Sequence, residues 1–405
     1  MCSALHDPDA RRSSRSCDGS PLERARRRMQ QTGQWSPRQQ MGRRWPVGCV
    51  ALEITQRCNL DCTLCYLSES SQALKDLPLA EVFRRIEDIR ARYGAGTDVQ
   101  ITGGEPTLRP RAELLAIVRR AREAGLRPAL FTNGIRASRA LLAELAAAGL
   151  EDVAFHVDIT QGRRGYASES DLCALRAQYL ERARGLPLAV FFNTSVCEAN
   201  LDEVSHLAAF FMQHAGAVRM ASFQLHADTG RGTLRGRGAR VSVGAVAERI
   251  RLGVGAPLSF DAMDIGHARC NRYAAALVAN GRAYDLFDEP EFVARMLERT
   301  AAVRLDRARP VAALAALLGW AARNPGALPG CLAWLARKAW RMRSDLLRAR
   351  AKANKLSFFI HDFMHACALE RERVEACCFM VATAGEPLSM CLHNAERDVH
   401  LLRPS

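Results

Sequence analysis

The segment Cys58-Asn59-Leu60-Asp61-Cys62-Thr63-Leu64-Cys65-Tyr66 places three thiols in one short loop, spaced Cys-x-x-x-Cys-x-x-Cys. Thiolates are natural ligands of iron–sulfur clusters and of zinc. A cubane cluster normally takes four cysteines. Three leave one iron without a protein ligand, and an open coordination site marks chemistry rather than scaffolding. A structural zinc knuckle is the competing reading, although zinc sites more often pair two Cys-x-x-Cys motifs.

The elements around the loop bear on that choice. It follows Val50-Ala51-Leu52-Glu53-Ile54-Thr55, a short apolar run that reads as a buried strand. Further on, Val99-Gln100-Ile101-Thr102 reads as a second strand, ending in the turn Gly103-Gly104-Glu105-Pro106-Thr107. Two adjacent glycines let a backbone approach a ligand closely, and a glutamate accepts from a cationic amine. With both motifs in this order on successive βα units, the sequence resembles the radical S-adenosylmethionine (SAM) superfamily. The resemblance implies that Cys58, Cys62 and Cys65 bind three irons of a [4Fe–4S] cluster and that SAM's amino and carboxylate groups chelate the fourth. It also implies reductive cleavage of SAM to a 5′-deoxyadenosyl radical, which takes hydrogen from an unactivated carbon. Gly103, Gly104 and Glu105 would hold the methionyl amine. Leu64 stands where the superfamily often has an aromatic residue.

Further runs narrow the resemblance: Thr132-Asn133-Gly134, Asn200-Leu201-Asp202-Glu203-Val204, Phe223-Gln224, His267-Ala268-Arg269-Cys270, His361-Asp362-Phe363-Met364 and Cys391-Leu392-His393-Asn394. They are similar to one branch, which contains archaeal tetraether-lipid synthases and methanogen pterin methylases. That branch carries a cluster in its tail, so the likeness implies a second iron–sulfur cluster on Cys270, Cys377, Cys378 and Cys391. Adjacent cysteines strain to reach one cluster, which leaves one of Cys377 and Cys378 as a bystander, with His267 or His393 as substitute ligand. Two departures stand out. Ile265 replaces the branch's first cysteine near His267, and only Cys2, Cys17 and Cys49 precede the main loop, so the lipid synthases' cysteine-rich N-terminal element is missing.

From Cys49 onward the pattern alternates strand, loop and helix. Helical periodicity covers Leu79–Ala91, Glu113–Ala124, a helix capped by Ser138, Asp171–Arg184 and Leu201–His214. Strands are expected over Pro128–Thr132, Val153–Asp158, Leu188–Val196 and Val218–Gln224. Such units imply a parallel sheet with helices outside, α/β in class, and six are too few for a closed eight-unit barrel. The resemblance implies a partial, open (β/α)6 TIM-like barrel over residues 46–252, with a C-terminal α-helical, cysteine-bearing extension over 253–405. Residues 1–45 read as a disordered basic arm, 253–286 as poor in clear elements, and 291–355 as a basic helical insert.

Ligands in such sheets lie at the carboxyl ends of the strands. Asn133, Asp158, Asn193, Thr194 and Gln224 fall there, as candidates to face SAM's ribose or the substrate. Residues of these types also cap helices and satisfy loop backbones. His156 and His206 read as structural; His361, His365 and His393, near the second cysteine group, are candidate ligands or proton relays.

Net charge is +14, of which residues 1–45 carry +6 and residues 301–355 carry +10, leaving −2 for the rest. Basicity thus belongs to the arm and the insert. Either suits an anionic surface, with a solvated face as the plain alternative. Val311–Ala322 and Asn324–Ala336 are uncharged but too short to span a bilayer. They read either as an interfacial hairpin with Trp320, Trp334 and Trp340 at the boundary, or as packed domain helices. No secretory apolar region opens the chain, so a cytoplasmic protein is expected, with peripheral contact to the inner membrane face. Fourteen cysteines then read as metal ligands and reduced thiols rather than a disulfide framework. The expected activity is C–C coupling, methylation or a related radical reaction on a lipid-like or pterin-like substrate, with a flavodoxin or ferredoxin as electron donor. A maturase of a ribosomal peptide is the alternative enzyme. A non-catalytic iron–sulfur or nucleic-acid-binding protein is the alternative of another class, but a pure electron carrier needs no amine site such as Gly-Gly-Glu.

Overall fold

The computed structural model describes residues 19–231, 239–303 and 310–402. Helix α1 (Pro21–Gln31) precedes six strands: β1 (Cys49–Thr55), β2 (Asp98–Gly103), β3 (Arg127–Thr132), β4 (Asp152–His156), β5 (Ala189–Val196) and β6 (Val218–Leu225). Each is followed by a helix: α2 (Leu79–Tyr93), α3 (Arg111–Glu123), α4 (Arg139–Ala147), α5 (Glu169–Ala183), α6 (Val204–Gln213) and α7 (Val243–Val254). All neighbours from β1 to β6 pair in parallel and in chain order. Serine caps set several helix starts. Ser138 accepts from the Leu141 N–H at α4, and Ser168 with Asp171 forms a capping box at α5.

The C-terminal region does more than add helices. It supplies β7 (Asn271–Ala279), β8 (Arg282–Asp285), α8 (Pro290–Arg299), α9 (Pro310–Arg323), α10 (Leu328–Arg348) and β9 (Asn354–Asp362). After these come α11 (Arg371–Glu375), β10 (Phe379–Val381), β11 (Leu388–Ser389), α12 (Met390–Ala395) and α13 (Arg397–Leu402). The sheet reads β11-β10-β1-β2-β3-β4-β5-β6-β9-β7-β8. Strands β10 and β9 extend the parallel run on its two sides, while β11, β7 and β8 join antiparallel. The barrel is therefore open, and its parallel wall is completed by strands that lie after the six units in sequence.

Two regions differ from the sequence expectation. The stretch 253–286, expected to hold little structure, contains the β7–β8 hairpin, turned at Asn280 (φ 51°) and Gly281 (φ 75°). Asn-Gly is a strong hairpin signal because both turn residues need positive φ. The basic arm is folded from Gly19 onward rather than disordered, and residues 1–18 lie outside the described residues. Ser20 and Glu23 form a capping box on α1, and Met29 and Met41 are buried. Gln39 imitates a strand partner, accepting from the Gly266 N–H (3.2 Å) and donating to the Gly266 carbonyl (2.9 Å). Polar composition hid this segment because a few buried methionines and a backbone-mimicking amide hold it.

The core falls into two apolar clusters. One, under β4–β6 and β9, includes an aromatic series in which Phe155 meets Tyr179 at 4.9 Å and Phe192 at 5.8 Å, and Phe192 meets Phe211 at 5.5 Å. The other joins β1–β3, α2 and α3 to Met29, Met41 and Cys378, so the N-terminal segment and the tail share one core.

Candidate active site

The three-cysteine loop leaves the end of β1 and is held from four directions. On the β2 side, the Gly104 N–H donates to the Thr55 carbonyl and the Glu105 N–H to the Arg57 carbonyl, both at 2.8 Å. From β3, the Asn133 side-chain amide donates to the Asn59 Oδ1 (2.7 Å). Beyond β4, the Thr160 carbonyl accepts from the Thr63 N–H (2.9 Å). After β6, Arg231 pairs with Asp61 (2.6 Å).

A Cβ on Gly103 would stand 1.9 Å from the Thr55 carbonyl oxygen, and one on Gly104 2.1 Å from that of Arg57. The glycine pair thus serves the docking of the cysteine loop against β2, besides any approach to a ligand. Glu105 is fully buried and turned under the turn. Its carboxylate accepts from the Thr107 N–H and hydroxyl, the Thr132 hydroxyl (2.7 Å) and the Asn133 N–H (2.7 Å). It fastens β2 to β3 rather than lining the cavity, which Gly103 and Gly104 do.

Cys58, Cys62 and Cys65 line a cavity of about 290 Å³ at the carboxyl ends of the strands. Asn133, Asn193, Gln224 and His156 face the same space. Thr194 does not line it: alternation along β5 turns its buried hydroxyl to the Val157 carbonyl (3.5 Å). Asp158 is likewise internal, accepting from the Ser195 N–H (2.8 Å), the Thr160 N–H (3.0 Å) and His156 Nε2 (2.8 Å). Burial works to raise its carboxyl, but His156 and the hydrogen bonds outweigh it and hold the group at about 2. His206 is exposed on α6, remote in role from these groups.

The tail adds an apolar face to the lining: Phe359, Phe363, Met364, Phe379 and Met390. His361 lines it too, stacked against Phe359 with ring centroids 4.1 Å apart and bonded through Nδ1 to Asn271 Oδ1 (3.0 Å). Burial lowers its imidazole to about 3, so it is neutral in ordinary buffers. At the rim, Asp228 lies between two imidazoles, 3.3 Å from His226 Nε2 and 3.0 Å from His365 Nδ1.

Sequence reasoning did not find the ion pair that ties the tail to the barrel. Arg397 of α13 makes two bonds to Glu53 of β1, at 2.7 and 2.8 Å, and one to Gln56 (3.0 Å). Its guanidinium stands 4.7 Å from the Tyr66 ring centroid, and the Tyr66 hydroxyl donates to the Gly103 carbonyl (2.6 Å). Burial works to raise the Glu53 carboxyl, but Arg397 outweighs it and the group falls to about 2. The only signal was a glutamate inside an otherwise apolar strand, with no hint of its partner.

The second cysteine group is spread over three segments of the C-terminal region. Cys270 precedes β7, Cys377 and Cys378 precede β10, and Cys391 opens α12. Cys270 accepts from Arg373 Nε (3.2 Å) and Cys391 from the Met364 N–H (3.5 Å). Burial raises Cys377 to about 11 and Cys391 to about 12, and Cys270 is among the neighbours that raise both. Cys378 sits deepest, accepting from Asn271 Nδ2 (3.3 Å), with Cys49 beside it. Of these, only Cys391 lines the cavity. His393 is buried away from it, stacked on His400 at 5.8 Å.

The donors fit an iron–sulfur cluster. Burial raises the thiols of Cys58, Cys62 and Cys65, and Cys65 raises Cys62 further by repulsion between thiolates. Cationic irons relieve that repulsion. Among the described residues no three Cys, His, Asp or Glu converge on one metal ion, whereas a cubane spreads its thiolates over separate irons.

Residues 52–179 match the family model of the Radical SAM superfamily. A 7,8-dihydro-6-hydroxymethylpterin dimethyltransferase of Methanocaldococcus jannaschii is 28% identical over 186 residues, 44% of this chain and 36% of that protein. A PqqA peptide cyclase of Xanthomonas campestris pv. campestris is 31% identical over 176 residues, 42% of this chain and 44% of the relative. The FeFe-hydrogenase maturase HydG from Carboxydothermus hydrogenoformans superposes with a TM-score of 0.42 at 12% identity, covering 60% of this chain and 57% of that one. The chain spans less than half the length of the two curated relatives. The segment over residues 52–179, which holds both the three-cysteine loop and the Gly-Gly-Glu turn, is a radical SAM superfamily domain.

Proposed function

We propose that the chain is a radical SAM enzyme acting on an apolar organic substrate, lipid-like or pterin-like, held between the cysteine loop and the aromatic face of the tail. The observation that carries the reading is the shared cavity, lined both by Cys58, Cys62 and Cys65 and by Phe359, Phe363, Met364 and Phe379. When bound, the cluster and SAM supply a 5′-deoxyadenosyl radical able to take hydrogen from an unactivated carbon. The chain's own part is to position and enclose. Gly103 and Gly104 bring the β2 turn against the loop, Asn133 braces it through Asn59, and Asn193 and Gln224 offer polar contacts to SAM or substrate. The apolar tail keeps water from the reacting carbon. A flavodoxin or ferredoxin is the proposed electron donor.

Cys270, Cys377 and Cys391, with Cys378 or a substitute ligand, are proposed to hold a second iron–sulfur cluster at the base of the tail. Their grouping supports it, and the depth of Cys378 makes it the bystander of the adjacent pair. A peptide substrate is the second reading, favoured by the PqqA peptide cyclase among the relatives. The test is anaerobic. Reduced protein should convert SAM to 5′-deoxyadenosine, and C58A/C62A/C65A should not. That variant should retain about four irons per chain, lost on adding C270A and C391A. Persistent cleavage in the triple variant overturns the active-cluster assignment, and absence of residual iron overturns the second cluster.

A further inference from the structure

Helices α9 and α10 carry apolar residues that no described residue covers. Val311, Leu314, Leu318, Leu332, Leu335 and Trp340 are each 53–80% exposed. Val311, Leu314 and Leu318 recur at helical spacing and form one stripe, and so do Leu332 and Leu335. No described residue of α9 is buried, although the helix is uncharged up to Arg323. The pair is nonetheless fixed in place. Trp320 Nε1 donates to the Arg299 carbonyl (2.9 Å), Trp334 stacks on Phe292 (5.9 Å), and Asp345 accepts from Asn280 (2.9 Å) and Tyr284. Of the three tryptophans expected at a boundary, Trp320 and Trp334 are half-buried and anchored to α8, and Trp340 is exposed. An apolar face held rigidly toward solvent marks an interaction surface.

We propose that this face docks on an anionic lipid bilayer. Charge selects that occupant. Residues 310–355 carry nine Lys and Arg against one Asp. Arg323, Arg343 and Arg350 have no acidic partner among the described residues, and Arg343 lies over the Trp340 ring at 4.2 Å. A second copy of the chain would bring like charges together. A bilayer with anionic headgroups takes the leucines into its interfacial layer and the guanidiniums at its phosphates. No described helix is long and apolar enough to cross a membrane, so the contact is peripheral.

The test uses the full chain, sedimented with vesicles of phosphatidylcholine containing phosphatidylglycerol and, separately, with vesicles of phosphatidylcholine alone. Binding to the anionic vesicles, weakened by salt and cut about tenfold or more by Leu314→Glu with Leu318→Glu, is the expected result. Both positions are solvent-exposed, so the variant should keep its far-UV spectrum and SAM cleavage. Failure of the wild-type chain to bind, or equal binding by the variant, overturns the proposal. So does a dimer in light scattering that the substitutions dissociate, since the occupant is then a second copy. Vesicle binding is read without SAM or reductant, so its outcome and that of the radical chemistry are independent.

Discussion

Replacing Arg397 with alanine should destabilise the barrel from a position in the last turns of the chain. The Glu53 and Arg397 side chains are 6% and 2% exposed, so removing the cation leaves a buried carboxylate with Gln56 as its remaining hydrogen-bond partner among the described residues. Removing one member of such a pair costs about 3–5 kcal/mol. The carboxyl's displacement gives an independent figure. It falls from 4.5 to about 2 in the fold, which at 1.36 kcal/mol per pH unit corresponds to about 3 kcal/mol. Because the folded value is the lower one, that stability is fully present above pH 4.5 and is lost as pH falls through about 2. Urea unfolding of the cofactor-free protein at pH 7 should therefore show a loss of about 3 kcal/mol for Arg397→Ala. Much of it should return in Glu53→Leu with Arg397→Met, which removes both charges. Because Arg397 also covers Tyr66, whose hydroxyl holds the Gly103 carbonyl, the single variant should bind SAM more weakly as well. A loss under about 1 kcal/mol, or a double variant no better than the single one, refutes the reasoning.

Other perturbations follow from the same geometry. Asn193→Ala should weaken SAM or substrate binding in an equilibrium assay, while Thr194→Val should leave it unchanged, because only Asn193 faces the cavity. Gly134→Ala should sharply lower the yield of folded protein, since φ is +81° there and the added carbon would stand 2.2 Å from the Tyr179 ring. Asp158→Asn should flatten the acid limb of the stability–pH curve. The folded carboxyl lies at about 2 against an ordinary 3.8, so its contribution is present above pH 3.8 and lost toward pH 2.

The sequence by itself determined the superfamily of the core domain and the six-unit barrel. Short-range signals sufficed, because cysteine spacing in one loop, a glycine pair after a strand and alternating periodicities are all local. It also brought the second cysteines to notice, since residues 377, 378 and 391 are close in the chain. Only the tertiary structure decided which polar strand-end residues face the cavity. One position along β5 separates Asn193 from Thr194, and pleat alternation sends them to opposite sides. Glu105, expected at the methionyl amine, has its carboxylate bonded to Thr107 in its own turn and to Thr132 and Asn133, which β3 brings to it. Strands β9 and β10, which complete the parallel wall, and the Glu53–Arg397 pair that closes it depend on contacts between distant parts of the chain. Residues 53 and 397 meet across 344 positions, and no local pattern records that separation. Pairing at such range is set by packing of the whole sheet, and so it became visible only in the fold.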